Sequence, residues 1–228
     1  MAKKKTPQVD NLQELESALT RTEQFIEDNQ KIITYVVGAV ILAVAAYLGF
    51  NKFYLQPKED EAKSQMFMAV NYFERDSFNL AINGDGNYFG FLDIIDDYGI
   101  TKAANRANYY TGISYLHLGQ YEDALDYLND FKTKDMLLAP VAEGAKGDAY
   151  LELGETDNAL KQYKKAIALS ENELTAPIYM MKAGQLLESM DELENALAMY
   201  EDIKEKYPES TEGTNVDRYI ARVKIKLN

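Results

Sequence analysis

The sequence predicts an all-α protein in which a single N-terminal transmembrane helix is followed by an α-solenoid of paired helices. Three observations predict it. Residues 32–50, IITYVVGAVILAVAAYLGF, are nineteen consecutive positions without a formal charge. Beyond Pro57, helix-like apolar spacing alternates with brief turn signals, and no extended run is rich in valine or isoleucine. A glycine recurs at 112, 147 and 184, in similar surroundings and 35 and 37 residues apart, which is a helical-repeat period.

Composition removes whole classes of chemistry before any element is placed. The 228 residues carry 24 Lys and Arg against 37 Asp and Glu, a formal net charge of -13, with 46% hydrophobic residues and no cysteine. Disulfides, thiol nucleophiles and cysteine-ligated zinc or iron-sulfur sites are therefore excluded, and a lone histidine, His117, cannot build a histidine-rich metal site. Affinity for nucleic acid rests on Lys and Arg neutralising phosphates, so the acidic balance argues against a nucleic-acid partner. No cofactor or metal is expected.

Taken in order, residues 1–31 form a polar tail. Leu12, Leu15, Leu19 and Ile26 follow an approximate helical stripe, which suits either an amphipathic partner-binding helix or a polar lead-in to the span. Residues 32–50, bracketed by Lys31 and Lys52, give a helix of roughly 28 Å, close to the hydrocarbon thickness of a bilayer. Tyr35, Tyr47 and Tyr54 suit the headgroup belts, so membrane lipid is an expected contact. The competing reading is a buried soluble helix. Five basic residues precede the span, and Lys52, Lys58 and Lys63 follow it, so positive charge does not settle orientation.

Residues 51–102 read as a junction and a degenerate helical pair. Met66, Ala69, Val70 and Phe73 share one helical face, NGDG makes a turn, and Phe89, Leu92, Ile94 and Ile95 serve packing. NGDGNYFG lacks the phosphate-loop lysine and the twelve-position acidic pattern of an EF-hand. It reads first as a turn, with Asn83, Asp85 and Asn87 the residues a ligand would meet otherwise.

Residues 103–208 contain three copies of one pattern. Gly112, Tyr115, Gly119, Ala124 and Leu128 recur as Gly147, Tyr150, Gly154, Ala159 and Tyr163, and then as Gly184, Leu187, Asp191, Ala196 and Tyr200, with Pro208 closing the third copy. Glycine permits close helix approach or an irregular turn, and alanine on the second helix lets the pair pack closely. Residues 209–228 then suit a capping helix with Val216, Tyr219, Ile220 and Val223 facing its neighbour.

On these residues the chain resembles the tetratricopeptide repeat family. It departs from the family pattern where the first-helix tryptophan is missing, where Asp191 replaces the turn glycine, and where Thr111 and Lys146 replace a leucine. The resemblance implies a curved stack whose first helices line the concave face and hold a protein or peptide partner without chemistry. Tyr109, Tyr110, Tyr115, Tyr150 and Tyr179 are the candidate anchors, each also suited to core packing, and the acidic surface favours partners bearing Lys or Arg.

The layout of one N-terminal span and a repeat domain is also similar to the membrane-anchored YfgM-like ancillary subunits of the bacterial Sec translocon. That resemblance implies a single-pass inner-membrane protein with its tail in the cytoplasm and its repeats in the periplasm. Its implied partners are Sec translocon subunits and a membrane-bound prolyl-isomerase-like chaperone. A scaffold for another envelope complex and a small-ligand or peptidoglycan-associated module stay open. No serine, histidine and carboxylate grouping marks an enzyme.

Overall fold

The computed structural model describes residues 23–170 and 172–228. Most of the tail, including the leucines of its expected stripe, lies outside them. The chain divides after Pro57 into two units. In the first, residues 23–28 are helical and α1 runs Gln30–Phe50. Helix α1 is long and apolar enough to cross a membrane, and none of its residues is buried by protein. Its one hydroxyl-bearing threonine, Thr34, donates back to the Gln30 carbonyl at 2.8 Å, which satisfies the group within the helix. Asn51–Leu55 form a single π-helical turn. Pro57 lies just beyond and has no N–H to return to the preceding turn, and a local widening accommodates such a defect.

The second unit is wholly helical among its described residues. Helix α2 (Gln56–Glu74) crosses the unit boundary at its start. It is followed by α3 (Phe78–Asn83) and α4 (Phe91–Tyr98). Three pairs come next: α5 (Lys102–His117) with α6 (Tyr121–Asp130), α7 (Leu138–Glu152) with α8 (Thr156–Ala168), and α9 (Ala176–Ser189) with α10 (Leu193–Lys206). The C-terminal segment is two helices where the sequence predicts one, α11 (Thr211–Asn215) and α12 (Asp217–Leu227). Ser210 accepts from Gly213 N–H at 2.9 Å and caps the start of α11, while the division from α12 falls at Val216, which makes no side-chain cap.

One turn closes every first helix. Gly119, Gly154 and Asp191 have φ of 74°, 76° and 62°. The residue after each donates five positions back, Gln120 to Tyr115, Glu155 to Tyr150 and Glu192 to Leu187, at 2.9, 2.8 and 2.9 Å. This is the left-handed helix stop in which two orphan carbonyls are satisfied at once. Asp191 therefore keeps the family geometry without glycine. Asp76 does the same at φ 56°, with Ser77 N–H on the Tyr72 carbonyl at 2.9 Å, so α2 ends as a repeat helix ends. The expected degenerate pair is thus three helices, because its first member breaks at Asp76 into α2 and α3; NGDGNYFG lies between α3 and α4. Asp85 organises the insertion: its carboxylate accepts from Asn87 and Tyr88 N–H at 2.9 and 2.8 Å and from the Tyr72 hydroxyl at 2.8 Å. The loop is a structural turn.

Packing within each pair follows the repeated glycine. A Cβ on Gly112, Gly147 or Gly184 would lie 2.6, 2.5 or 2.5 Å from the side chain of Leu128, Tyr163 or Tyr200 respectively. Ala124, Ala159 and Ala196 are fully buried on the second helices. Two core clusters result. One joins Ala62, Met66, Ala69, Phe91 and Ile94 to the start of α5; the other runs from Ala159 through Tyr163, Tyr179 and Tyr200 to Val216 and Val223, with Tyr219 and Ile220 against it. The capping stripe is as its spacing predicts.

Candidate functional site

The first helices are started by side chains that satisfy their free N–H groups, and this sets their register against one another. Thr101 caps α5 through Ala104 N–H at 3.1 Å, while Glu59 on α2 accepts from Lys102 and Ala103 N–H at 2.7 and 3.1 Å. Asp135 accepts from Leu137 and Leu138 N–H, both at 2.9 Å, ahead of α7, and these backbone bonds hold its carboxyl below the usual range. Asn172 does the same for Leu174 and Thr175 ahead of α9.

So positioned, α5, α7 and α9 line one groove. Two adjoining depressions of about 360 Å³ each share Asp148, Leu151 and Lys182; Leu116, Tyr121 and Glu152 complete one, and Tyr163, Gln185, Leu186 and Ser189 the other. Lys182 donates to both carboxylate oxygens of Asp148 at 2.6 and 2.7 Å, and the Tyr163 hydroxyl donates to the same carboxylate at 2.7 Å. The Lys182 ammonium also lies 5.9 and 6.0 Å from the ring centroids of Tyr163 and Tyr179. Burial, and then the Asp148 charge, push the Tyr163 hydroxyl well above its ordinary pKa. A neutral phenol on a paired carboxylate is a fixed wall, while Leu151 is 40% exposed and offers apolar surface beside it.

The pairing continues to the end of the stack. Asp148 and Lys182 are 34 residues apart, and so are Gln185 and Tyr219, at 3.3 Å, and Glu188 and Arg222. Each pair links a first helix to the next one along. Glu188 accepts from Arg222 Nε at 2.8 Å, from its terminal nitrogen at 2.6 Å and from Lys226 at 2.8 Å. The Arg222 bonds, reinforced by Lys226 against the cost of burial, hold the Glu188 carboxyl down to about 2.

The five candidate tyrosines sit differently from this groove. Tyr179 is a correction: it is 7% exposed, and its ring occupies the space where a Cβ on Gly144 would lie 1.9 Å away, so it is core between α7 and α9. Tyr109, Tyr110, Tyr115 and Tyr150 are half-buried. Tyr109 packs on Phe131, Tyr110 stacks on Phe91 and Tyr115 stacks on Tyr127, with centroids 5.2, 5.2 and 5.5 Å apart, and Tyr150 packs on the second core cluster. Sequence reasoning missed Leu116, Asp148, Leu151 and Lys182. The available signal was the 34-residue spacing of opposite charges, which nearly equals the repeat period. His117 stacks on Phe78 with centroids 4.6 Å apart. Among the described residues no group of His, Asp and Glu is placed to hold a metal.

These paired helices, glycine contacts and left-handed turns define a tetratricopeptide-type array. Models of the tetratricopeptide repeat match residues 106–135, 144–173 and 179–210, one for each of the three pairs. Over these residues the chain is similar to tetratricopeptide repeats. Among solved structures it is similar to the MamA protein, at 19% identity and TM-score 0.54 over 72% of this chain and 88% of that one. It is also similar to a putative kinesin light chain from Podosopora anserina with nearly identical TPR-like repeats, at 13% identity and TM-score 0.56 over 72% and 86%. At such identities the likeness concerns the fold. No curated protein matches the chain by sequence. Repeats of this type imply a scaffold for protein-protein interaction.

Proposed function

We propose that the protein is a non-enzymatic, membrane-tethered docking module whose first-helix groove holds a segment of a partner protein. The observation that carries this reading is the groove itself: half-buried Leu116 and exposed Leu151 flanked by Asp148, Glu152 and Lys182 whose positions are fixed by their own bonds. Apolar anchors beside preorganised polar groups are what a peptide site requires. Tethering through α1 follows from its length, its apolar composition and its freedom from protein burial. The net charge of residues 51–228, with 19 basic and 31 acidic residues, favours a partner rich in Lys or Arg.

The partner class is protein export or its periplasmic chaperones: Sec translocon subunits and a membrane-bound prolyl-isomerase-like protein. The chain then sits in a bacterial inner membrane with its repeats in the periplasm and its tail in the cytoplasm. The apolar helix near the N-terminus and the repeat domain after it support this reading, and the absence of cysteine is compatible with it. Crosslinking at native expression followed by affinity purification tests it. Capture of translocon subunits, lowered at least about tenfold by Leu151→Asp, is the expected result. Capture of another envelope complex instead overturns the export assignment, and an unaffected Leu151→Asp variant overturns the groove. Protease protection in intact and opened cells tests the orientation separately.

A further inference from the structure

A cleft of about 840 Å³ opens away from the first-helix groove, between the end of α6, the 131–137 connection, the start of α7 and the end of α8. It falls where the two core clusters part: Leu128, Phe131 and Ala142 line it and belong to neither. Its walls are preorganised. The Asn105 side chain clamps the Lys132 backbone in both directions, donating to its carbonyl at 2.8 Å and accepting from its N–H at 2.9 Å, while Asp135 anchors the other end of the connection to α7. A connection held at both ends loses little freedom on binding.

The chemistry of the lining runs against the rest of the molecule. Lys132, Lys134, Lys146 and Lys165 outnumber Asp135 and Glu143 in a domain that is otherwise strongly acidic. Lys146, with a side chain only 8% exposed, and Lys165 both pair with Glu143 Oε1, at 2.8 and 2.9 Å. Glu143 Oε2 is shut away from solvent, so this carboxylate serves Lys146 and Lys165 and presents no acceptor to a ligand. Lys134 makes no ion pair or hydrogen bond among the described residues, and beside it Met136 and Leu169 are 79% and 44% exposed.

We propose that this cleft docks an acidic segment of a partner protein that carries a large apolar side chain. The apolar side chain fills the floor of Leu128, Phe131 and Ala142 against Met136 and Leu169. Carboxylates of the segment meet the lysine rim, the exposed Lys134 foremost. A simple anion answers the lysines and leaves the apolar floor to water; a basic peptide meets the rim with like charge. Only an acidic segment with an apolar side chain answers both. The molecule then has two docking faces of opposite preference, and the second does not depend on what the first-helix groove binds.

The test uses the full chain in detergent micelles, panned against a library of short random peptides, with the Lys134→Glu/Met136→Glu variant for subtraction. Both residues are exposed, so the fold is spared, and an unchanged thermal melt verifies that. Peptides retained by the wild type and lost on the variant should be net acidic and contain Leu, Phe or Met. A synthetic copy should bind the variant at least about tenfold more weakly, weaken as salt is raised, and be indifferent to Leu151→Asp. The proposal is overturned if no retained peptide depends on Lys134 and Met136, if the dependent peptides are neutral or basic, or if Leu151→Asp removes them equally.

Discussion

Replacing Gly147 by alanine should destabilise the repeat domain, although alanine is the better helix former. The new Cβ lies 2.5 and 2.6 Å from two carbons of the Tyr163 ring, whereas carbon atoms in contact rest about 3.5–4.0 Å apart. The ring must retreat by roughly 1 Å. It has little room to do so, because Tyr163 is 1% exposed and its hydroxyl is held by Asp148 at 2.7 Å. Overpacking a filled site costs about 1–3 kcal/mol, and a ring fixed at both ends belongs near 3. The gain from removing a helical glycine offsets about 1 kcal/mol, leaving a net loss of about 2. For a domain of this size that is a fall of about 4–8 °C in Tm, read from the loss of helical circular dichroism. The sign should invert in a Tyr163→Ala background, where nothing remains to clash and alanine at 147 should stabilise by about 1 kcal/mol. A wild-type background in which Gly147→Ala is neutral or stabilising, or an equal effect in both backgrounds, would refute the packing argument.

Gly154 and Asp191 occupy the same left-handed turn position and should respond in opposite directions. Gly154→Ala meets no atom within 4 Å, so its loss of about 1 kcal/mol is backbone strain alone; Asp191→Gly relieves that strain and should raise the melting midpoint by a gain of about 0.5–1 kcal/mol. Glu59→Gln weakens the acceptor shared by Lys102 and Ala103 N–H, a loss of about 1 kcal/mol that hydrogen exchange should localise to the first turn of α5. Glu188 has a folded pKa depressed from 4.5 to about 2, so its contribution is complete above pH 4.5 and disappears as pH falls toward 2. Exchange protection of α12 should therefore drop within that window, and Glu188→Gln should flatten that part of the acid profile.

The fold was legible because its signals are local and repeated. One glycine, one turn residue and one alanine in each copy specify a close helix pair, and the capping stripe of Val216, Tyr219, Ile220 and Val223 reads directly as a helical face. The substitution at 191 misled only as far as its chemistry allows: aspartate tolerates left-handed backbone, so the turn survived. Where an element was interrupted, legibility failed. Asp76 takes left-handed backbone and splits the run from Met66 to Ile82 into α2 and α3, and apolar periodicity alone carries no trace of that break.

The docking surfaces were harder to read for a different reason. A tyrosine on a first helix looks the same in sequence whether it faces a partner or the next helix, and the structure commits Tyr179 wholly, and Tyr109, Tyr110, Tyr115 and Tyr150 in part, to packing. The discriminating information lies between repeats. Asp148 with Lys182 and Glu188 with Arg222 sit one helix apart at a separation of 34, so they mark the edge along which consecutive first helices meet. Charges that neutralise each other there leave leucines such as Leu116 and Leu151 as the open part of the groove. The acidic total hides the second surface in the same way: averaged over residues 51–228 the four lysines around the 131–137 connection vanish into an excess of carboxylates, yet folding gathers them at one seam. Net charge therefore describes how this domain meets solvent, and the spacing of charges against the repeat period describes where it meets a partner.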